Sequence, residues 1–250
     1  MRYGKSFEAA AGELARAIES SVVEATKDRR RVAVSFSGGV DSSILVTCAK
    51  RSTQVVACGA WSPRSADERT VAEAAREIGV ELVGTRLEEA SVRRVLGRMS
   101  LPFEASPMDR ALWCLYYIVS ESAAASGAEE ILLGQLADEL FGGYAKYQRA
   151  FEADREEADQ MMRRDVAGFR ERGRPRDVAA CGVWLPPRFP FEAPGVVELG
   201  LALPAAYKFR GGARKAVLRR AAVLLGVPER LAMAPKKAAQ YSSGIQKLLR

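Results

Sequence analysis

Residues 34–43 read V-S-F-S-G-G-V-D-S-S: an apolar strand runs into a Ser-Gly-Gly turn, then an aspartate and two hydroxyls open a helix. That order of residue types suits a phosphate chain. Gly38 and Gly39 let the backbone turn sharply and approach a ligand with no Cβ in the way, while the amides of a helix N-terminus attract anions. The hydroxyls of Ser37, Ser42 and Ser43 add donors, and Ser35 and Val40 complete the stretch assigned to the phosphates. Asp41 offers a hard oxygen ligand for a magnesium ion travelling with them. A bare S-G-G is also an ordinary strand-to-helix turn; the aspartate and serines directly after an apolar strand give it chemical meaning. It matches neither G-x-x-x-x-G-K-[ST] nor G-x-G-x-x-G.

A second stretch, Ile131 to Tyr144, reads I-L-L-G-Q-L-A-D-E-L-F-G-G-Y. It is again an apolar strand entering a turn with acidic residues at its end. Neighbouring strands that each deliver a carboxylate to one edge can share a metal, which pairs Asp41 with Asp138 and adds Glu139 as a further oxygen donor. The alternative for Asp138 and Glu139 is charge complementarity at a helix N-terminus, worth about 0.3–1 kcal/mol. Gly134 sits in this turn, and Gly59 near the end of another predicted strand is grouped with the nucleotide site.

These residues need a frame to bring them together. Apolar groups at Phe7, Ala11, Leu14, Ile18, Val22 and Ala25 predict a leading helix over 6–27. Strands follow at 32–36, 54–60, 81–87 and around 131–133, with helices continuing from 44 to 50 and marked by Val71, Ala74, Ala75 and Ile78. Ser106-Pro107-Met108-Asp109 has the marks of a helix start: serine at the N-cap, proline at N1 and an acid at N3. Repeated strand-helix units predict an α/β fold with a Rossmann-like parallel sheet and helices on both faces, ligands binding at the carboxyl ends of the strands. Beyond residue 151 the pattern is mostly helical. A charged helix is expected over 152–172, a Pro-rich connection over 181–194, and a helix over 213–225 stopped by Gly226 and Pro228. No linker separates two units, so 1–250 reads as one domain: a leading helix (1–30), a nucleotide-binding core (31–150) and a helical C-terminal part (151–250).

Of the 250 residues, 48% are hydrophobic and 28% charged, values of a soluble globular protein. No leader and no long apolar run is visible, which predicts a cytoplasmic protein. The four cysteines form no C-x-x-C pair and read as buried thiols. Histidine is absent, so Ser-His and Cys-His nucleophilic chemistry is excluded. The net charge of +7 is uneven: 19 Lys and Arg against 20 Asp and Glu in residues 1–150, but 19 against 11 in 151–250. That surplus serves RNA, a polyphosphate or solubility.

The S-G-G-V-D-S string resembles the signature of the PP-loop ATP pyrophosphatases. Together with G-Q-L-A-D-E-L-F-G-G-Y, it is similar to the synthetase domain of the asparagine synthetase and β-lactam synthetase group. Looser similarity lies in Arg188-Phe189-Pro190-Phe191, Leu203-Pro204 with Lys208, Lys215 to Arg219, and Pro235-Lys236-Lys237. The resemblance implies ATP and Mg²⁺ as cofactors and adenylation of a substrate carboxylate. Pyrophosphate would leave into the 37–43 cradle, and ammonia or an amine would displace AMP to form an amide.

Three departures shape that expectation. The chain begins Met1-Arg2-Tyr3 and reaches its first strand near residue 32, so a glutaminase domain is not expected, and ammonia comes from solution or from a separate glutaminase. The family's glutamate is Gln135 here, which orients a nucleophile without taking its proton, and the next glycine is Leu136, expected to fill space that substrate uses elsewhere. The lysine expected near the α-phosphate aligns with Lys236 or Lys237, with Lys237 the closer to the ungapped position. Lys236, Lys237 and Gln135 are therefore the catalytic candidates, against a reading of the lysines as a solvated basic pair.

Asp67 either caps a helix or faces the nucleotide; Glu104 and Asp109 either serve a helix start or contact a substrate amine. Tyr144 and Tyr147 read as packing residues. Two other functions compete with the amide ligase: a tRNA-modifying PP-loop enzyme, suggested by the basic last hundred residues, and an ATP-binding subunit with altered catalysis, suggested by Gln135.

Overall fold

A computed structural model describes residues 4–63, 67–234 and 244–249. β1 (Arg31–Ser35) is buried on both faces, and its alternation divides the interior. Val32 and Val34 join one apolar core, while Ala33 joins the other. A strand apolar on both sides belongs in a covered parallel sheet. α1 (Phe7–Thr26) packs on the first face with α2 (Val40–Ala49), burying Leu14, Ile18 and Val22 of its predicted stripe.

β2 (Gln54–Trp61), α3 (Asp67–Ile78) and β3 (Glu81–Arg86) extend the sheet in one direction. The chain then passes through α4 (Glu89–Leu96) and α5 (Pro107–Ala125) to β4 (Glu130–Leu132), on the other side of β1. The complete order is β3-β2-β1-β4-β5, all parallel, with β5 (Pro187–Arg188) at the edge. Winding reverses between β1 and β4, and a crevice opens there beyond the strand ends. Both loop motifs leave at that point, the first into α2 and the second into α6 (Ala137–Phe141).

α5 begins as the sequence predicts. Ser106 Oγ accepts the Asp109 amide at 3.1 Å, and Asp109 Oδ2 accepts the Ser106 amide at 3.1 Å, a reciprocal capping box. The helix is buried around most of its circumference, from Trp113 through Ser120, because the sheet, α4 and α9 (Arg174–Cys181) enclose it.

At the opposite ends of the strands the arginine run is neutralised. Arg29 pairs with Glu130 (2.7 Å), Arg30 with Glu129 (3.6 Å) and Arg31 with Glu81 (2.7 Å). Arg188 of β5 adds a second clasp on the buried Glu130 at 2.5 Å. Its part in the Arg-Phe-Pro-Phe stretch is to hold the edge strand.

The C-terminal part departs from expectation in its boundaries. The helix predicted over 152–172 is interrupted at Asp154, whose extended backbone (φ −151°) ends α7 (Ala145–Ala153) and whose side-chain Oδ1 caps α8 (Arg155–Gly168) by accepting the Glu156 amide. A π-helical turn over Phe169–Gly173 then leads into α9. The Pro-rich connection contains β5, so the part after 151 contributes a strand to the sheet. The helix expected from 213 begins at Ala216, because β6 (Phe209–Arg210) and β7 (Ala213–Arg214) pair as a ribbon and Lys215 turns left-handed at φ +59°. That helix, α10 here (Ala216–Leu224), packs on α1. α4 is a helix that the sequence reading did not anticipate.

Much of the basic surplus of 151–250 is internal: Arg176, Lys208, Lys215 and Arg219 are all buried. Burial pushes Lys208 down to about 8, against the opposing pull of Asp159. A lysine held below its unfolded value is penalised in full below pH 8, and the penalty disappears as pH rises toward 10.5. Lys208→Met is therefore expected to stabilise the fold at pH 7 by on the order of 2–3 kcal/mol. In denaturant unfolding, its advantage over the wild type should shrink between pH 8 and 10.5. An advantage independent of pH would refute the assignment.

All four cysteines are free and buried, and burial raises the thiols of Cys48, Cys58 and Cys114 to about 12. Among the described residues no helix is long and apolar enough to cross a membrane.

Candidate functional site

The Ser-Gly-Gly turn is held by its own side chains. Gly38 has φ +70°, a left-handed conformation that favours glycine, and a Cβ there would come within 3.3 Å of Ala74 Cβ. Gly39 is the N-cap of α2. Ser42 Oγ donates to Gly39 O at 3.1 Å and accepts the Ser37 amide at 3.3 Å, while Ser37 Oγ accepts the Gly39 amide at 3.4 Å. These bonds set the backbone before any ligand arrives. Ser35, Ser37, Gly39, Val40, Asp41 and Ser42 line one wall of a cavity of about 100 Å³.

The opposite wall comes from the second motif, through Gly134, Gln135 and Asp138, with Tyr116 of α5 and with Lys215 and Arg219. Gly134 allows β4 and α2 to meet, since a Cβ would lie 3.2 Å from Asp41 Cβ. Between the walls, Lys215 Nζ lies 2.6 Å from both Asp41 carboxylate oxygens and 2.6 Å from Asp138 Oδ1. The paired aspartates do converge, with an ammonium between them. Burial alone would lower Lys215, but Asp138 and Asp41 outweigh it and raise its pKa, so the charge is kept. Arg219, one helical turn on, donates to the carbonyls of Arg214, Ala232 and Ala234 and holds the segment leading to residue 235.

Gly143 makes room for this ion cluster. A Cβ there would lie 1.8 Å from Asp138 Oδ1 and 2.5 Å from Lys215 Cε. Gly143→Ala is expected to displace the lysine and to cost about 2–4 kcal/mol, the scale of overpacking plus a disturbed buried ion pair. Wild-type stability in thermal unfolding would show that the cluster tolerates the shift.

A larger cavity of about 580 Å³ adjoins the first and shares Tyr116, Gln135 and Asp138 with it. Lys146, Arg172 and Arg176 on one side of the balance and Asp109, Asp138, Glu139 and Asp165 on the other supply its charges, with Lys146 paired to Asp165 and Arg172 to Asp109, and Met108, Leu112 and Phe169 give its apolar lining. Burial, then the neighbouring Asp138, raises Glu139 to about 7; its Oε1 accepts the Tyr144 hydroxyl at 2.9 Å. Asp109 serves its helix start and also takes Arg172 and Arg176, each at 3.1 Å. Burial would raise its pKa, but these donors and Ser106 hold it below the usual carboxylate value. Tyr147 is buried and donates to Asp165 at 2.5 Å, a packing role with a polar tip.

Two carboxylates and a small cavity fit a magnesium ion, which takes one or two protein carboxylates and fills its remaining positions with phosphate oxygens and water. Asp41 and Asp138 are the two carboxylates lining the first cavity that could hold one. Glu139 lines the larger cavity, not the first, and does not join them. Among the described residues no group of three or more acidic or thiol side chains is arranged to hold a metal by itself.

Gly38 shapes the turn without lining the cavity, and Ser43 is fully buried with its hydroxyl unpartnered among the described residues. Gly59 lines neither cavity; its missing Cβ leaves space for the Trp61 ring 2.7 Å away. Leu136 does not occupy substrate space. Its left-handed backbone (φ +72°) turns the side chain into the first core, 1% exposed. Asp67 opens α3. Glu104 contributes its carbonyl, which accepts Arg172 at 3.0 Å. Lys236 and Lys237 lie outside the described residues; Ala234, just before them, lines the first cavity. Sequence reasoning missed Lys215, Arg219 and Tyr116 as site residues. For the first two the available signals were their four-residue spacing at a helix start and their place at the ends of the Lys215-to-Arg219 stretch, whose similarity to the family was noted without a role for either.

The asparagine synthase family model matches residues 13–172 and 150–250. The chain is 29% identical, over 98% of its length, to the "Putative asparagine synthetase (glutamine-hydrolyzing) 1" of Methanocaldococcus jannaschii, and covers 52% of that protein. It is 34% identical to the mouse "Asparagine synthetase domain-containing protein 1" over 49% of this chain and 21% of that one. The chain thus spans about half the length of the first relative and about a fifth of the second. Among solved structures, the NMN synthetase of Francisella tularensis shares the fold, with a TM-score of 0.50 at 12% identity, covering 96% of this chain and 79% of that one.

Proposed function

The chain belongs to the asparagine synthase family, and on that premise we propose that it is an ATP-dependent, AMP- and pyrophosphate-forming amide ligase. It adenylates a substrate carboxylate and transfers ammonia or an amine to it. The observation that carries this reading is the shared wall of the two cavities. A polyphosphate in the Ser37–Ser43 cradle directs its inner end toward Gln135, Asp138 and Tyr116, the residues that also bound the larger cavity.

In this reading the loop amides and the hydroxyl of Ser37 hold the departing pyrophosphate, while Ser42 Oγ, which donates to Gly39 O, holds the turn in shape. Asp41 and Asp138 would hold Mg²⁺, which would supply charge neutralisation on the phosphates when bound. Lys215 fixes the separation of the two carboxylates. Lys236 or Lys237 supplies positive charge near the α-phosphate. Arg172 and Lys146 give the larger cavity cationic groups for an acidic substrate. Charge stabilisation is the main task, and preorganised donors perform it without histidine.

Ammonia enters from solution or from a glutaminase partner. The test is product analysis with ATP, Mg²⁺, ammonium chloride and each of the common L-amino acids in turn. AMP and pyrophosphate should appear in equal amounts with at least one acid. ADP and phosphate, or no ATP consumption with any acid, would refute the proposal.

A further inference from the structure

We propose that Asp177 is a positioning residue that fixes the side-chain amide of Gln135, so that its carbonyl oxygen accepts an N–H of the incoming amine. The proposal rests on the amide-ligase reading and adds to it the group that receives the nucleophile.

Gln135 Nε2 donates to Asp177 Oδ2 at 2.5 Å. Asp177 is fully buried and lines neither cavity, so it does not touch a ligand in either. Its Oδ1 accepts Arg176 Nε at 2.7 Å, and Arg176 Nη1 continues to Asp109 Oδ1 at 3.1 Å. Asp109 is locked into the capping box of α5. The chain Gln135–Asp177–Arg176–Asp109 therefore anchors a cavity residue to the start of a long helix through three buried charged groups.

An amide has one donor end and one acceptor end, and a glutamine free to rotate presents either. A carboxylate that already accepts from a guanidinium takes only the NH₂ end. Oε1 is then the outward atom, on a residue that lines both cavities. The bond to Asp177 is the one hydrogen bond of this side chain among the described residues. A fully buried carboxylate is costly unless paired, and this one spends half its acceptor capacity on Gln135.

In the transfer step the nitrogen lone pair forms the C–N bond. The acyl C–O bond breaks with its electron pair going to AMP, and the surplus proton on nitrogen leaves to water in the larger cavity. Gln135 Oε1 orients one N–H and takes no proton. The ligand class is therefore a neutral amine with an N–H to donate, ammonia included.

Exchange of radiolabelled pyrophosphate into ATP reads adenylation without an amine, and the KM for ammonium reads the second step. With an acid that supports exchange, Asp177→Asn should retain exchange while raising the ammonium KM about 10-fold, the effect of one misplaced hydrogen bond. In a Gln135→Leu background the same change should add nothing. Combining Gln135→Glu with Asp177→Asn should restore the low KM, because the new side-chain amide at position 177 then donates to a carboxylate whose other oxygen faces the junction.

An unchanged ammonium KM in Asp177→Asn, or a further rise in the Gln135→Leu background, overturns the proposal. Should Asp177→Asn fail to fold, Gln135→Leu alone decides: an ammonium KM equal to wild type overturns it. Absence of exchange in the wild type with every acid instead overturns the ligase reading itself.

Discussion

Lys215→Met is expected to destabilise the protein by about 3 kcal/mol, because removing one partner of a buried charge cluster leaves the others uncompensated. Here the others are two carboxylates, Asp41 and Asp138, both within 2.6 Å of the lost ammonium. The value sits at the low end of the usual range because their side chains remain 23% and 18% exposed. Magnesium should then raise the Tm of the variant more than that of the wild type, since a dication replaces the missing charge. Equal responses in thermal unfolding would show that the aspartates do not form one cation site.

Asp41→Asn should have the opposite profile. Asp138 still pairs with Lys215, so the fold is expected to survive with little change in stability. Formation of AMP and pyrophosphate should fall about 10²–10³-fold, the scale of losing one preorganised electrostatic contact at a reacting phosphate. The two variants separate the structural role of this cluster from its chemical one. A stable Lys215→Met and an active Asp41→Asn would together remove the cluster from the mechanism.

The parts of the site legible in the sequence are those whose partners are near in the chain. The Ser37–Ser43 turn forms its hydrogen bonds within five residues, and the capping box of α5 closes over three. Strand and helix order followed from apolar periodicity, which also placed both loops at one sheet edge. Lys215 and Asp177 were not legible, because their partners lie 174 and 42 residues away. Nothing in a local pattern separates a buried lysine bridging two aspartates from a lysine on a solvated turn.

Leu136 shows the same limit from another direction. In place of glycine it suggested an obstructed substrate site, whereas tertiary packing directs it into the core. Its left-handed backbone costs about 1–2 kcal/mol, offset by a buried leucine side chain worth about 1.5–3 kcal/mol. The break at Asp154 and the two-residue strand Pro187–Arg188 were missed for a related reason. Both are short features fixed by contacts with remote elements, Arg188 by its clasp on Glu130.

In the proposed reaction a carboxylate oxygen attacks the α-phosphorus of ATP at the junction of the two cavities. The most direct test supplies the acid with heavy oxygen in its carboxylate and follows the label by mass spectrometry of the nucleotide product. One labelled oxygen should appear in AMP for each amide formed, with none in pyrophosphate. Label in inorganic phosphate, with ADP as the nucleotide, would contradict the account and place the attack at the far end of the polyphosphate.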